Sequence, residues 1–589
     1  MNIHKSRQQQ HGAHVNKDGT TCFSLWAPNA RSVSIEISNE NTVHELLKGD
    51  DGWYKLTLNC GVGTAYKYII NNELHVPDPA SRRQRDDVHG WSLVVDQTYP
   101  WETITWRGRP WREAIIYEIH VGACGGFVQV EALLPQLADM GITAIELMPI
   151  SEFPGTRNWG YDGVLLFAPE SSYGTPEQLK HLIDRAHALD IMVILDVVYN
   201  HFGPDGNYLA HYAAPFFRTD IKTGWGDAIN FEQPQVREFF IENALMWVLD
   251  YRVDGLRIDA AHAIKDKDFL RELSTRLRNA ILPGRYLHLI LENEDNQASL
   301  LGTEFDAQWN DDGHNVLHHL LTRESEGYYA DFSQSPTQKL ARCLSEGFIY
   351  QGEYTARGRL RGEASSHLPP TRFVLFLQNH DQIGNRAFGE RLLKLADRDA
   401  LKAAVGLLLL SPMIPLIFMG EEWGCQTPFL FFTDHNDELA KAVCEGRRNE
   451  FASFAKFNDP HLREQIPNPN DIATFTNSIP AATQEQEHEA WRNYYAQLIA
   501  LRHKEIIPRL ENARSVGTHI FQEGALVASW LMSDKNFLHI YLNLSGVSVT
   551  VSKPWNKTRL IFSHPVLSAE YAQGILPPGS ILVSMQNQQ

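Results

Sequence analysis

The chain has little cysteine: six in 589 residues, at Cys22, Cys60, Cys124, Cys343, Cys425 and Cys444, with no two forming a CxxC pair. That spacing gives no support to zinc-site or thioredoxin-type readings, and no metal or cofactor is expected from it. Long apolar runs are also missing. The nearest, VGLLLLSPMIPLIFMG over 405–420, carries two prolines and reads as a helix end followed by a buried strand. The opening stretch MNIHKSRQQQHGAHVNKDG has no apolar core, so a secretory signal is not expected. Together these features point to a reducing cytoplasm and no membrane. Positive charge is scarce: 53 basic against 71 acidic residues leave a net charge of −18. Such a surface repels nucleic acid and anionic lipid and fits a neutral or cationic partner.

What is present suits a large globular protein. Hydrophobic residues make up 43% and aromatics 11%, ample for packed interiors, and the length suggests about three domains. Fourteen Trp and 20 Tyr offer flat faces with polar edges, which suit sugar rings, although most should be core. Residues 1–108 are strand-rich: CFSLWAP, SVSIEIS, GWYKLTLN and AYKYIIN alternate apolar and polar positions between turn residues, the pattern of a small β-sandwich. Residues 508–589 return to the same pattern in THIFQEG, ALVASWL and NFLHIYLNLS, which predicts a C-terminal β domain.

Between them, residues 109–507 alternate strands and helices. The eight candidate strands lie in IIYEIHVG, ITAIELMPI, IMVILDVVYNH, VDGLRIDAAH, LHLILENED, EFDAQWND, RFVLFLQNHDQ and IPLIFMGEEWG. Eight parallel strands with crossover helices is the arithmetic of a (β/α)8 barrel, so the fold class is multidomain α/β, a barrel flanked by two β domains. An open doubly wound sheet is the other candidate, but no glycine-rich phosphate fingerprint follows the first strand.

In a (β/α)8 barrel the chemistry sits at the strands' C-terminal ends, and polar residues gather there. Asp196, Asn200 and His201 follow one strand and Arg257 and Asp259 another; Glu292 follows a third and Asn379, His380 and Asp381 a fourth. Singly, each has an ordinary structural explanation as an ion pair, helix cap or packed histidine. Residues two apart on a strand share a face, so Arg257 and Asp259 point the same way. A guanidinium there is expected to keep Asp259 ionised as a nucleophile, while burial and the neighbouring charge raise Glu292 as the acid. A carboxylate and a carboxylic acid so paired are what glycoside hydrolysis needs, with Asp381 available to grip sugar hydroxyls.

DVVYNH, GLRIDAAH, the Glu of LILEN and FLQNHDQ resemble the four conserved regions of the α-amylase superfamily, glycoside hydrolase family 13. Within it, ELMPISEFPGTRNWGYDGVLLFAPESSYGTPE, QNHDQIGNRAFGERL and GEEWG…PFLFFTDH resemble the maltooligosyltrehalose trehalohydrolase family, over nearly the whole chain. The resemblance implies hydrolysis of the α-1,4 bond next to the terminal trehalose of maltooligosyltrehalose, in company with a synthase that makes that substrate. It implies Asp259 as nucleophile, Glu292 as general acid/base and Asp381 as transition-state stabiliser. Arg257, His201, His380, Asn379 and Tyr161, in WGYD, are the matching supporting residues, Tyr161 by stacking on the sugar. After HVG the chain reads ACGGF where the family usually has a longer, more aromatic loop. A branching or debranching enzyme would use the same three acids, and a glucan-binding protein without activity should lack one of them. For the trehalose end, the polar candidates are Gln351 and Glu353 in GFIYQGEYTARGR, just before the seventh strand.

Overall fold

The computed structural model describes residues 10–38, 42–457, 459–481, 485–551, 558–566, 571 and 573–587. Its centre is a closed eight-stranded barrel, all neighbours parallel: β1 Ile116–Ile119, β2 Ala144–Leu147, β3 Met192–Val197, β4 Gly255–Ile258, β5 His288–Leu291, β6 Ala307–Trp309, β7 Phe373–Phe376 and β8 Ile414–Phe418. All eight expected strands are present. Ile116, Ala144, Ile194, Ile290, Val374 and Leu416 fill the interior as one apolar cluster. Two residues further along, on the same strand face, the interior turns polar at Glu118, Glu146, Asp196 and Glu292. Register places Glu118 opposite Glu146 and Asp196 opposite Arg257. The barrel is therefore apolar below and charged at its C-terminal mouth.

The crossover helices carry their own start signals. Thr175 and Gln178 form a capping box on Pro176–Ala188, and Asp266 accepts from the Asp268 and Phe269 amides to start Lys267–Ala280. N-terminal to the barrel lie two antiparallel sheets. Strands Gly12–Val15, Thr21–Trp26, Trp53–Leu58 and Leu47–Lys48 form one. Strands Val43–Glu45, Val33–Ile37, Ala65–Ile70, Leu74–Val76 and Ser92–Leu93 form the other. The first is tied to the barrel by Glu242, which accepts from the Gln10 and His11 amides and pairs with the His11 ring. At the other end a five-stranded sheet built from Arg514–Gln522, Ala525–Leu531, Phe537–Asn543, Ser580–Gln586 and Arg559–His564 packs on helix Arg398–Leu410. Gly406 there leaves room for Ile581 and Phe562. No helix among the described residues is long and apolar enough to cross a membrane.

Candidate active site

Arg257 is the hub of the barrel mouth. Its Nη1 lies 2.6 Å from Asp196 Oδ2 on β3 and 2.9 Å from Asp259 Oδ1 just beyond β4, and its Nη2 lies 3.2 Å from Glu292 Oε2 beyond β5. The guanidinium rests 4.1 Å over the Trp309 ring, so no face of it meets water. One planar fork thus fixes three carboxylates from three successive strands, which a lysine's point charge could not do. A fourth carboxyl, Asp381, starts the short helix His380–Gly384 after β7.

Asp259, Glu292 and Asp381 open onto one cavity of about 940 Å³, together with Tyr161, His201 and His380. Tyr161 Oη lies 2.7 Å from Asp196 Oδ2 and 2.8 Å from His380 Nε2, and its ring stacks on the imidazole. His201 bonds the Tyr161 carbonyl at 3.0 Å. Around them the wall is aromatic, with Trp159, Trp225, Tyr328, Phe388 and Phe454 facing the cavity. Such a trough can bind the apolar faces of successive sugar rings while the acids act at one of them.

Four residues expected to touch substrate do not line the cavity. Arg257 lies beneath the acids, fully buried, and acts through them. Asn379 is also fully buried; its Oδ1 accepts from the Asp381 and Gln382 amides and caps the helix that carries Asp381. Gln351 spends its side chain on Glu346, the Phe348 carbonyl and the Ser365 amide. Glu353 pairs with Arg342 at 2.7 Å and accepts from the Gln351 amide. From that segment Thr355, Arg357, Arg359 and Arg361 face the cavity instead, because the hairpin Glu353–Tyr354/Leu360–Arg361 turns them inward. The ACGGF segment does not reach the cavity; Gly126 caps helix Phe127–Met140 there.

The protonation pattern reverses one expectation. Burial pushes Asp259 well above the usual carboxylate range, helped by the charges of Glu292, Asp196 and Asp381 against the pull of Arg257. Burial also raises Asp381. Glu292 is held low: burial opposes its charge, but Arg257 and the Ala260 N–H, 2.7 Å from Oε2, outweigh it. The acids thus titrate as a coupled set, in which burial and mutual repulsion disfavour charge on the aspartates while Arg257 and the Ala260 N–H favour it on Glu292.

Two contributors were not singled out in the sequence. Glu118 on β1 clamps His380, and Trp225, from the hairpin Phe217–Thr223/Gly226–Ile229, stacks on His201 at 5.0 Å. The signal for Glu118 was present in IIYEIHVG, where a charge interrupts a strand buried on both faces. Among the described residues no group of three or more His, Cys, Asp or Glu side chains is arranged to hold a metal ion.

A closed parallel barrel with carboxyls gathered at its C-terminal mouth, behind an N-terminal β-sandwich, defines a glycosidase of the α-amylase type. Residues 120–216 match the alpha amylase catalytic domain, and residues 10–80 match carbohydrate-binding module 48, the isoamylase N-terminal domain. The chain is 40% identical to the malto-oligosyltrehalose trehalohydrolase of Saccharolobus solfataricus over 80% of its length and 86% of that protein. It is 36% identical to the enzyme of the same name from Rhizobium sp. (strain M-11), over 96% and 98% of the two chains. A solved structure described as a putative alpha amylase from Salmonella typhimurium superposes with a TM-score of 0.92 at 40% identity, covering 98% of this chain and 100% of that one. The chain belongs to the malto-oligosyltrehalose trehalohydrolase family.

Proposed function

We propose that the chain hydrolyses the α-1,4 bond next to the terminal trehalose of maltooligosyltrehalose with retention of configuration, releasing trehalose. The observation that carries the chemistry is the convergence of Asp259, Glu292 and Asp381 on one aromatic-walled cavity, two of them gripped by one buried guanidinium. Asp259 attacks the anomeric carbon while Glu292 gives its proton to the departing glycosidic oxygen. A covalent glycosyl-enzyme forms, and Glu292 then takes a proton from the water that releases it. Asp381 binds hydroxyls of the distorted ring, assisted by His201 and His380, and Tyr161 supplies a stacking face. Arg257 and the Ala260 N–H favour charge on Glu292, so the proton that Glu292 gives to the leaving oxygen is shared with the coupled carboxyls. The pH dependence then reports the coupled set.

The relatives' name supports trehalose as the leaving end. A branching activity is the other reading of the same acids. Incubation with maltooligosyltrehalose and with plain maltooligosaccharide, followed by product analysis, separates the two. Trehalose as the dominant product is expected; new α-1,6 branches would overturn the assignment. The reading also places the enzyme in the cytoplasm beside a synthase that caps maltooligosaccharides with trehalose, and divides the chain near residues 108 and 507.

A further inference from the structure

Glu118 has no contact with the cavity, yet both of its carboxylate oxygens are committed to one residue. Oε1 lies 2.5 Å from His380 Nδ1, and Oε2 accepts from the His380 amide at 3.2 Å. Both side chains are about 1% exposed. With Oε2 accepting from the His380 amide, the carboxylate is fixed as an acceptor and Nδ1 donates to Oε1. On the other side of the ring, Nε2 lies 2.8 Å from Tyr161 Oη. Tyr161 has one hydroxyl hydrogen, and Asp196 Oδ2, 2.7 Å away and already an acceptor for Arg257, takes it. Nε2 must therefore donate to the Tyr161 oxygen, so both ring nitrogens carry a hydrogen.

We infer that Glu118 is a positioning residue: it holds His380 as a cation wedged between Tyr161 and Asp381, setting a fixed positive charge beside the one catalytic carboxyl that Arg257 does not contact. The inference rests on the proposed role of Asp381, whose Oδ1 is 3.5 Å from His380 Nε2. Arg257 serves Asp196, Asp259 and Glu292, and its contacts do not include Asp381. Without a charged His380, Asp381 would face Glu292 with only the more distant Arg257 to offset their charges. The remaining groups about the ring agree. Glu146, across from Glu118 on β2, makes no hydrogen bond to a described group, and burial beside Glu118 keeps it protonated. His120 is held neutral by burial, down to about 4, with the His380 charge acting in the same direction. Burial and the Arg257 charge oppose a charge on His380 itself, but Asp381 and Glu118 outweigh them and raise the ring to about 9.

The test is Glu118→Gln, which keeps the shape and removes the charge. His380 should then lose its proton nearer the ordinary 6.5, and the alkaline limb of the kcat profile should move to lower pH while KM at pH 6 stays within about threefold. Glu118→Asp should restore the limb's position even if turnover stays low. A uniform loss at every pH, with the limb where the wild type has it, would reduce Glu118 to a packing role and overturn the inference. Should Glu118→Gln not fold, the wild type decides: with ¹³C-labelled histidine, assigned by His380→Gln, a neutral His380 at pH 7 overturns it and a charged ring upholds it. Asp381→Asn, expected to abolish turnover at all pH values, tests the underlying reading separately.

Discussion

Arg257 and its acids set the terms at the scale of single residues. Asp259→Asn keeps the hydrogen bond to Arg257 but removes the nucleophile, so kcat should fall by about 10³-fold or more with KM little changed, since the lost interaction forms at the transition state. A variant with ordinary kcat would refute the assignment. Glu292→Gln should slow turnover by about 10²–10⁴-fold and change the alkaline limb, because it removes one member of a coupled set. Gln351 and Glu353 carry a different expectation from the one their loop position suggests. Gln351 knits Glu346, Phe348 and Ser365 together, so Gln351→Ala should cost about 1–3 kcal/mol of stability by leaving buried groups unpaired. Neither Gln351→Ala nor Glu353→Ala should change the ratio of kcat/KM on maltooligosyltrehalose to that on plain maltooligosaccharide. A selective loss with either would return that segment's polar side chains to the substrate. What was legible here follows strand geometry. Arg257 and Asp259 could be paired from their i, i+2 spacing, and Glu292 from its place after LHLIL. The cap made by Asn379 is local, an Asn-x-x-Gln box closed within three residues, which the family resemblance had assigned to substrate instead. The Gln351 bond to the Ser365 amide and the Ala260 N–H on Glu292 join residues 14 and 32 apart, and no local pattern encodes them.

Among the elements, the strands were readable because each barrel strand is a short apolar run ending in polar residues, and several helices, Pro176–Ala188, Lys267–Ala280 and Arg398–Leu410 among them, open on a capping side chain. The hairpin bearing Trp225 was not read, since its exposed, mixed composition resembles a loop. Two glycines separate stability from catalysis at this scale. Gly347 follows helix Pro336–Glu346 at φ +93°, and a Cβ there would come 2.0 Å from the Phe373 ring on β7. Gly347→Ala should cost about 3 kcal/mol or more through strain and overpacking, with kcat unaltered in the protein that folds. Gly384 sits in the helix that carries Asp381, and its Cβ would come 1.9 Å from Trp159 Cζ2. Trp159 packs edge-on against His380 and faces the cavity. Gly384→Ala should therefore cost activity as well as stability, and equal kcat in the two alanine variants would deny Trp159 a part in shaping the site.

For the whole molecule, net charge and buried histidines predict opposite responses to acid. At −18 the chain repels itself, and protonating surface carboxylates should relieve that repulsion as pH falls. Two histidines work against this. Burial holds His120, at the barrel mouth, down to about 4, and His14, in the sandwich strand beside Arg82, down to about 3. Their neutral forms belong to the folded state, whereas the unfolded chain takes up protons near 6.5. Their contribution is thus complete above about 6.5 and is lost as the pH falls from there toward the folded values. At about 1.4 kcal/mol per pKa unit, His120 alone accounts for roughly 3 kcal/mol, more than diffuse surface repulsion screened at physiological salt is expected to return. Glu242, held low through its bonds to His11, loses its acceptor charge at still lower pH and loosens the tie between sandwich and barrel. Buried glutamates raised by desolvation, Glu170 and Glu422 to about 7 and Glu421 to about 8, gain stability over the same interval, so the histidine share is read as a difference: the Tm advantage of the wild type over His120→Gln should shrink as the pH falls from 6.5 to 4.5. An advantage that stays constant over that interval would mean that His120 takes no part in the acid response.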